Sequence, residues 1–300
     1  MVRSSLQRTP WPVVAAFLLP SFFAFFIFLV IPIFAAVGIS LTNFSGGSNF
    51  KFIGLTNYIN AFKSSDFLKY LLNTFNFTFW TVVFQLLLGF VLALILNDRL
   101  FGRNAYRGIM FLPNVLSSIA VGLIFSLILD SQNGPVNQFL VSAGIPAPLW
   151  LAGVKTALPT IIMVTVWQNF GYYMVLFLGG LQTINVALYE AASIDGAGQV
   201  QRFFAVTLPG LSPIIFFSVT IAIIRAFQVF DQIFVMTGGQ LGGGPAGATT
   251  VLVFDIYKNG FAQFRFGYAA AGSVVLLIII LAVTIIQQQG QKKWVTYETV

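Results

Sequence analysis

The sequence predicts an all-α, polytopic membrane protein with six transmembrane helices. Of its 300 residues, 58% are hydrophobic and 8% are charged, whereas soluble domains carry about a quarter charged residues. Several apolar segments exceed the roughly 20 residues that cross the hydrocarbon layer of a bilayer. We therefore expect a single transmembrane domain over residues 1–300.

The composition also excludes several classes of chemistry. The chain has no Cys and no His, which removes disulfides, thiol redox chemistry and the usual ligands of zinc, copper and haem. The net charge of +7 comes from Lys and Arg scattered between apolar segments. That pattern is typical of membrane loops and does not indicate a nucleic-acid partner.

Six apolar segments predict the transmembrane spans. Pro20 and Pro32 fall in the first segment, where we expect bends. Neighbouring helices can satisfy the backbone carbonyls that such bends leave unpaired. A loop rich in Pro, Gly and Asn separates the third span from the fourth, and a Gly-rich loop separates the fifth from the sixth. The predicted spans cover about residues 11–39, 71–96, 109–129, 157–180, 211–236 and 269–287.

The distribution of Lys and Arg predicts the orientation. Six spans place both termini on one side, and loops on the cytoplasmic side of a membrane carry an excess of Lys and Arg. The segments on the side of the termini carry the larger number, although the opposite loops are longer. They hold Arg3, Arg8, Arg99, Arg103, Arg107, Arg202, Lys292 and Lys293, against Lys51, Lys63, Lys69, Lys155, Lys258 and Arg265. We therefore expect both termini to be cytoplasmic.

A charged, amphipathic segment at about residues 186–206 separates the fourth and fifth spans. Val186 to Ile194 predicts a short helix. Asp195-Gly196 ends it, because Gly tolerates the left-handed conformation found after helices. A second short helix is expected up to Val206, with Pro209 stopping it before the fifth span.

The surface of this segment has two interpretations. Its small side chains would let the backbone of another protein approach closely, and Glu190 and Asp195 offer hydrogen-bond acceptors to the Arg or Lys of a partner. The alternative is an ordinary interfacial helix with one solvated and one lipid-bound face.

The letters EAASIDGAG from Glu190, followed by Leu208-Pro209, resemble the EAA signature of the permease subunits of bacterial ABC importers. The resemblance implies that the segment is the coupling helix, which docks into a cleft of a cytoplasmic ATPase subunit. The residues expected to couple to the ATPase are Glu190, Ala191, Ala192, Asp195, Gly196, Ala197, Gly198 and Pro209.

Four other stretches extend the resemblance over most of the chain. FIGLTNYINAF, RGIMFLPNVLSSIAVGLIFSLIL, WQNFGYYM and FQVFDQIFVMTGG are similar to the MalF/UgpA type of carbohydrate importer permease. This implies the type I ABC importer permease fold. It also implies a subunit of an ATP-driven, binding-protein-dependent importer of a sugar or oligosaccharide, which works by alternating access. The chain departs after Thr237, where GGQLGGGP replaces a direct Gly-Gly-Pro.

The resemblance also implies the partners and the location. We expect a second permease of the MalG/UgpE type, two ATP-binding subunits and an extracytoplasmic solute-binding protein, in a bacterial inner membrane. The chain itself is expected to be no enzyme and to bind no cofactor, with ATP and Mg²⁺ used by the partner ATPases. Consistent with this, the run from Gly238 to Gly247 lacks the Gly-Lys-Ser/Thr ending of a phosphate-binding loop and follows no predicted strand.

Arg225 falls near the middle of the fifth predicted span, where an ionisable group costs several kcal/mol unless it faces a cavity or a partner. It is therefore either a ligand contact or one half of a structural pair. By resemblance, this region and the centre of the fourth span line the sugar pocket. The candidate substrate-pathway residues are Gln168, Asn169, Tyr172, Arg225 and Gln228. Ala226 and Val229 are apolar where the maltose-type permease carries polar groups, which argues against maltose.

Polar residues at helical spacing in the second span predict a stripe. We expect this stripe to form hydrogen bonds between helices, with lining of the transport pathway as the alternative. It consists of Thr74, Thr78, Thr81 and Gln85. Asp231, later in the fifth span, is expected to be structural.

Two other functional classes compete with the permease hypothesis. A secondary transporter needs intramembrane carboxylates for ion coupling, and only Asp231 and Asp130 lie in or beside a predicted span. An intramembrane enzyme needs paired carboxylates, a nucleophile with its base, or metal ligands, and the sequence offers no such set. Within the permease hypothesis, a non-sugar or acidic solute is the alternative substrate.

Overall fold

The computed structural model describes residues 11–48, 50–98, 101–239 and 242–294. Arg3, Arg8 and Arg99, which contributed to the predicted orientation, lie outside the described residues. Apart from an isolated bridge between Thr42 and Phe52, the regular structure of the described residues is helical. Numbered in chain order, the α-helices are α1 Trp11–Phe25, α2 Ile31–Ser40, α3 Thr56–Lys63, α4 Ser65–Asn97, α5 Arg103–Val115, α6 Ser118–Ile128, α7 Pro135–Ser142, α8 Ala157–Thr183, α9 Val186–Ile194, α10 Gln199–Arg202, α11 Leu208–Phe227, α12 Asp231–Met236, α13 Leu252–Tyr257 and α14 Phe266–Trp294.

Five helical segments of the described chain are long and apolar enough to cross a membrane, and α5 with α6 forms a sixth if this bent pair is one span. The five are Trp11–Ser40, Ser65–Asn97, Ala157–Thr183, Gln199–Phe227 and Phe266–Gln291. The predicted all-α fold class is therefore confirmed.

The first span is continuous but irregular. A π-helical turn at Phe26–Val30 joins α1 to α2 and ends two residues before Pro32, whose nitrogen has no hydrogen to donate. Pro20 lies inside α1, which continues through it. Helix α2 packs against α14, whereas no residue of α1 is buried.

The third span was predicted as one helix over residues 109–129, and this is wrong. Helices α5 and α6 meet at 93°. Leu116 and Ser117 between them leave the helical conformation, with ψ of 145° and 129°. Pro113 lies in the last turn of α5 and removes only the hydrogen bond that its nitrogen would donate to the preceding turn.

The fifth span was predicted to run unbroken over residues 211–236, and this is also wrong. Helix α11 ends where the Gln228 amide donates to the Arg225 carbonyl at 3.2 Å. Phe230 then leaves the helical conformation with φ of −139°. Helix α12 begins with Asp231, a carboxylate in the first turn, where the helix dipole favours negative charge. Arg225 thus lies in the last turn of α11 beside a break in the span.

Pro209 was expected to stop a helix before the fifth span, but the helix continues through it. Helix α10 passes through a π-helical turn at Phe203–Thr207 directly into α11. Pro209 lies in the first turn of α11, where the widened turn before it relieves the loss of a regular hydrogen bond. The segment Gln199–Phe227 is therefore one continuous helix.

Close contact between α4 and α8 forms the centre of the bundle. At Gly89 of α4, an added Cβ would lie 2.9 Å from the Met174 amide nitrogen of α8. At Gly171 of α8, it would overlap the backbone carbonyl of Met110 in α5. Small residues that let helix backbones approach are the usual means of packing in membranes.

We expect Gly171→Ala to destabilise the protein by about 1–3 kcal/mol, because the new methyl group overlaps the Met110 carbonyl and forces α5 away from α8. Thermal unfolding of the detergent-purified protein measures the effect. The matched control is Gly179→Ala in the same helix, where an added Cβ meets nothing within 4 Å. An equal loss of stability in both variants would contradict this account of the packing.

Candidate functional site

A polar cavity of about 210 Å³ lies where the fifth span is broken. Its walls come from α4, α8, the last turn of α11, the connection that follows and the start of α12. The lining residues are Phe77, Thr81, Gln85, Thr165, Asn169, Tyr173, Arg225, Ala226, Gln228, Val229, Phe230, Asp231 and Gln232. A concave site with a few convergent polar groups is the usual form of a small-molecule site.

Three of the five candidate substrate residues border this cavity: Asn169, Arg225 and Gln228. Tyr172 contacts it through Arg225, whose guanidinium carbon lies 4.7 Å from the centre of the tyrosine ring. The fifth candidate, Gln168, is buried and does not belong to the lining. Asn169 is held in place because its amide donates to the Thr165 carbonyl at 2.8 Å, and its oxygen accepts from Asn114 at 3.2 Å.

The cavity is also bordered by residues for which a structural role was expected. Thr81 and Gln85 were assigned mainly to helix packing, and Asp231 was assigned a structural role. The spacing of four between Thr81 and Gln85 already placed them on one helix face. Thr165 and Gln232 were not identified from the sequence, because a single polar residue in an apolar helix carries no signal of what it faces.

Gln168 joins the breaks of two different spans. Its amide donates to the carbonyl of Leu116 at 3.1 Å, at the end of α5, and to the Ser118 hydroxyl at 3.4 Å, at the start of α6. Its oxygen accepts from the Gln232 amide at 3.0 Å, in α12. A carbonyl that a broken helix leaves unpaired is thereby satisfied inside the bundle, as a membrane interior requires.

We expect Gln168→Leu to lower stability by about 1–3 kcal/mol, because it leaves the Leu116 carbonyl and the Gln232 amide without this partner. Thermal unfolding measures the loss. Gln182→Leu, at an exposed position of the same helix, is the control. The double variant Gln168→Leu with Gln232→Leu should lose less than the sum of the two single losses, since removing both amides leaves fewer unpaired groups. Additive losses would contradict the pairing.

A second polar cavity, of about 280 Å³, lies at the end of the bundle opposite α9. Asp66 and Asp255 border it together with Lys258 and Arg265. Burial raises the pKa of Asp255 from its ordinary value of 3.8 to about 6. The positive charges of Lys258 and Arg265 and the hydrogen bond from Asn259 lower this pKa, but by less than burial raises it. The Asn259 amide donates to the Asp255 carboxylate at 2.9 Å.

This raised pKa predicts a pH dependence of stability. The folded state binds a proton at Asp255 more tightly than the unfolded chain does. Protonation of Asp255 therefore stabilises the folded state fully below about pH 4, and this stabilisation is lost as the pH rises to about 6. Asp255→Asn should remove this slope of stability against pH between about pH 4 and 6, and should raise the melting temperature above pH 6. Asp98→Asn, at an exposed carboxylate, should retain the slope. An unchanged slope in Asp255→Asn would contradict the assignment to this group.

The segment between α8 and α11 forms a compact, exposed projection. The Asn185 side chain caps α9 by accepting from the Ala187 amide at 3.0 Å. Gly196 ends α9 with φ of +77°, a left-handed conformation that disfavours other residues. Two contacts tie α9 to the continuous helix: Tyr189 hydroxyl to Thr207 at 3.0 Å, and Arg202 to the Ser193 hydroxyl at 3.0 Å.

The candidate coupling residues from Glu190 to Gly198 lie in this projection, whereas Pro209 lies in the first turn of α11. Ile194 and Val200 beside them are apolar but 86% and 71% exposed. The Gly198 amide donates to the Gln201 side chain at 2.9 Å and starts α10. The exposed candidates are Glu190, Ala191, Asp195, Gly196 and Gly198, and the partly buried ones are Ala192, Ala197 and Pro209.

Comparison with known proteins identifies relatives over most of the chain. Residues 85–294 match the family described as "Binding-protein-dependent transport system inner membrane component". The chain is 37% identical to the probable ABC transporter permease protein YurN of Bacillus subtilis (strain 168), covering 91% of this chain and 94% of YurN. It is 34% identical to the arabinooligosaccharides transport system permease protein AraP of the same organism, covering 90% of this chain and 84% of AraP.

The structure is also similar to a chain in a crystal structure of a bacterial alginate ABC transporter in complex with an alginate pentasaccharide-bound periplasmic protein. The TM-score is 0.81 at 24% sequence identity, covering 94% of each chain. This likeness shows the fold.

Proposed function

Because the chain belongs to the family of binding-protein-dependent transport system inner membrane components, we propose that it is the permease subunit of an ATP-driven importer of a sugar or oligosaccharide. The type I importer permease fold predicted from the sequence is confirmed. The similarity to AraP, an arabinooligosaccharides transport system permease protein at 34% identity, supports a carbohydrate substrate.

One structural observation carries the transport mechanism. The continuous helix Gln199–Phe227 begins in the exposed projection and ends at Arg225 and the break that forms the cavity. A force applied to α9 passes through the Tyr189–Thr207 and Ser193–Arg202 contacts into this helix. Displacement of the projection would therefore tilt the same helix that forms one wall of the cavity, which is the connection that alternating access requires.

The source of that force is a partner. ATP, with Mg²⁺, would be hydrolysed by two ATP-binding subunits, and α9 would dock into one of them as the coupling helix. The exposed carboxylate of Glu190, the exposed apolar side chains of Ile194 and Val200 and the small residues around Gly196 support a protein partner over a solvated interfacial helix. Binding of ATP shifts the population between inward-open and outward-open states only if the partner holds α9 differently in each.

Two unpartnered apolar faces support a second membrane subunit. No residue of α1 is buried, and an apolar groove of about 720 Å³ lies between α4 and α8, lined by Trp80, Phe84 and Trp167 among others. A homologous permease of the MalG/UgpE type and lipid would cover these surfaces. We further propose that both termini and α9 face the cytoplasm of a bacterial cell, and that the opposite end receives the solute-binding protein.

The charge reversal Glu190→Lys tests the coupling role. We expect ATP-driven uptake by the reconstituted importer to fall at least tenfold and co-purification of the ATPase subunits to be lost, because the exposed carboxylate no longer accepts from the partner. The melting temperature of the permease should stay unchanged, since the structure gives the Glu190 side chain no hydrogen bond to a described residue.

Asp98→Lys is the matched control, because it reverses an exposed carboxylate at the same end of the bundle. Uptake and co-purification equal to the wild type in Glu190→Lys would contradict the coupling role. Ion-driven uptake by this chain alone, with no ATPase, would contradict the importer function and favour a secondary transporter.

A further inference from the structure

The guanidinium of Arg225 has unused hydrogen-bond donors in the cavity. It lies over the Tyr172 ring, 4.7 Å from the ring centre, and no hydrogen bond or ion pair joins it to a residue that the structure describes. Asp231 borders the same cavity, but in the described chain its carboxylate forms no ion pair with Arg225 within 4.0 Å. A cation in a membrane-spanning segment without an internal counter-ion indicates that its partner arrives from outside.

Tyr172 orients these donors. A guanidinium lying over an aromatic ring is held by its face, which leaves the N–H groups at its edge directed sideways. The edge of a guanidinium matches a carboxylate in a bidentate geometry. Arg225 is therefore prepared for a planar anion.

The α4 wall of the cavity contains a hydroxyl that is unpaired within the described residues. Thr81 in α4 is 1% exposed, and its Oγ1 has no hydrogen-bond partner among the described residues. Gln85, one turn further, is 3% exposed, borders the cavity and has no hydrogen bond to a described residue. A buried hydroxyl without a partner costs free energy, so its position on a cavity wall points to a ligand that supplies the missing partner.

The charges of the cavity orient such a ligand. Arg225 is the cation and Asp231 the anion among the lining residues. A carboxylate on the ligand is attracted to Arg225 and repelled by Asp231, whereas ligand hydroxyls donate to the Asp231 carboxylate and to the amide oxygen of Gln85. The arrangement thus suits a solute with an acidic group at one side and hydroxyls elsewhere.

We propose that the substrate is a sugar acid, with its carboxylate bound by Arg225 and its hydroxyls bound by Thr81 and Gln85 of α4. This rests on the proposed importer function and adds to it the charge of the substrate and two specificity-determining residues in the second span. The cavity of about 210 Å³ is below the roughly 300–1,000 Å³ of typical ligand clefts, so this chain's share of the site fits a single small saccharide unit.

Calorimetric binding to the complete importer in lipid nanodiscs tests the proposal. The probes are glucuronate, galacturonate and their disaccharides, each paired with the neutral sugar that lacks the carboxylate. We expect the wild type to bind at least one acid tenfold or more tightly than its neutral counterpart. Arg225→Gln should weaken acid binding by about ten- to a hundredfold and leave neutral binding nearly unchanged, because it removes a charge-assisted hydrogen bond.

Two further variants separate binding from folding. Arg225→Lys keeps the charge and should retain part of the preference for acids, while Thr81→Val keeps the shape and should weaken acid and neutral sugars alike by about fivefold. Lys155→Gln, at an exposed position outside the cavity, is the control for loss of a cation elsewhere. Melting temperatures show that each variant is folded.

The outcomes distinguish this inference from the function on which it rests. Equal binding of acidic and neutral probes by the wild type, or an unchanged preference in Arg225→Gln, overturns the sugar-acid assignment while leaving an importer of neutral sugars. Unchanged binding in Thr81→Val overturns the role of α4. Failure of the reconstituted wild type to import any saccharide on addition of ATP overturns the proposed function itself.

Discussion

The hydrogen bonds of the Gln168 side chain hold together the part of the structure on which the cavity depends. A broken helix in a membrane leaves backbone groups that water cannot satisfy, so each break needs an internal partner. Gln168 donates to the Leu116 carbonyl at the break of the third span and accepts from Gln232 just after the break of the fifth. One buried amide therefore stabilises two irregular segments, and the space beside the second becomes a polar cavity.

The exposed projection and the cavity are joined by one continuous helix, to which α9 is tied by the Tyr189–Thr207 and Ser193–Arg202 contacts. The helix Gln199–Phe227 runs without interruption from the projection that carries Glu190 to the wall that carries Arg225. A π-helical turn at Phe203–Thr207 precedes Pro209, and the helix continues past this proline. A rigid element of this kind transmits displacement more directly than a network of packed residues, because packing must rearrange at each step.

The polar stripe of α4 shows what periodicity identifies and what it leaves undetermined. Thr74, Thr78, Thr81 and Gln85 were predicted to share one helix face, and all four are buried. Yet Thr74 accepts a hydrogen bond from the Leu252 amide at 2.8 Å, whereas Thr81 and Gln85 border the cavity. Spacing along one helix determines a common direction, while the identity of the neighbour depends on a segment far away in the chain.

The sequence by itself determined the all-helical membrane class and the helical segment that ends at Gly196, because these depend on local features. An apolar run of sufficient length crosses a bilayer whatever surrounds it, and Gly196 ends α9 through its own backbone freedom. The breaks after Val115 and Phe227, and hence the site, were decided by tertiary structure. No Gly or Pro stands at Leu116–Ser117 or Gln228–Phe230. What stabilises them is Gln168, which is 52 residues from Leu116 and 64 from Gln232, and a contact over that separation forms only when the helices pack.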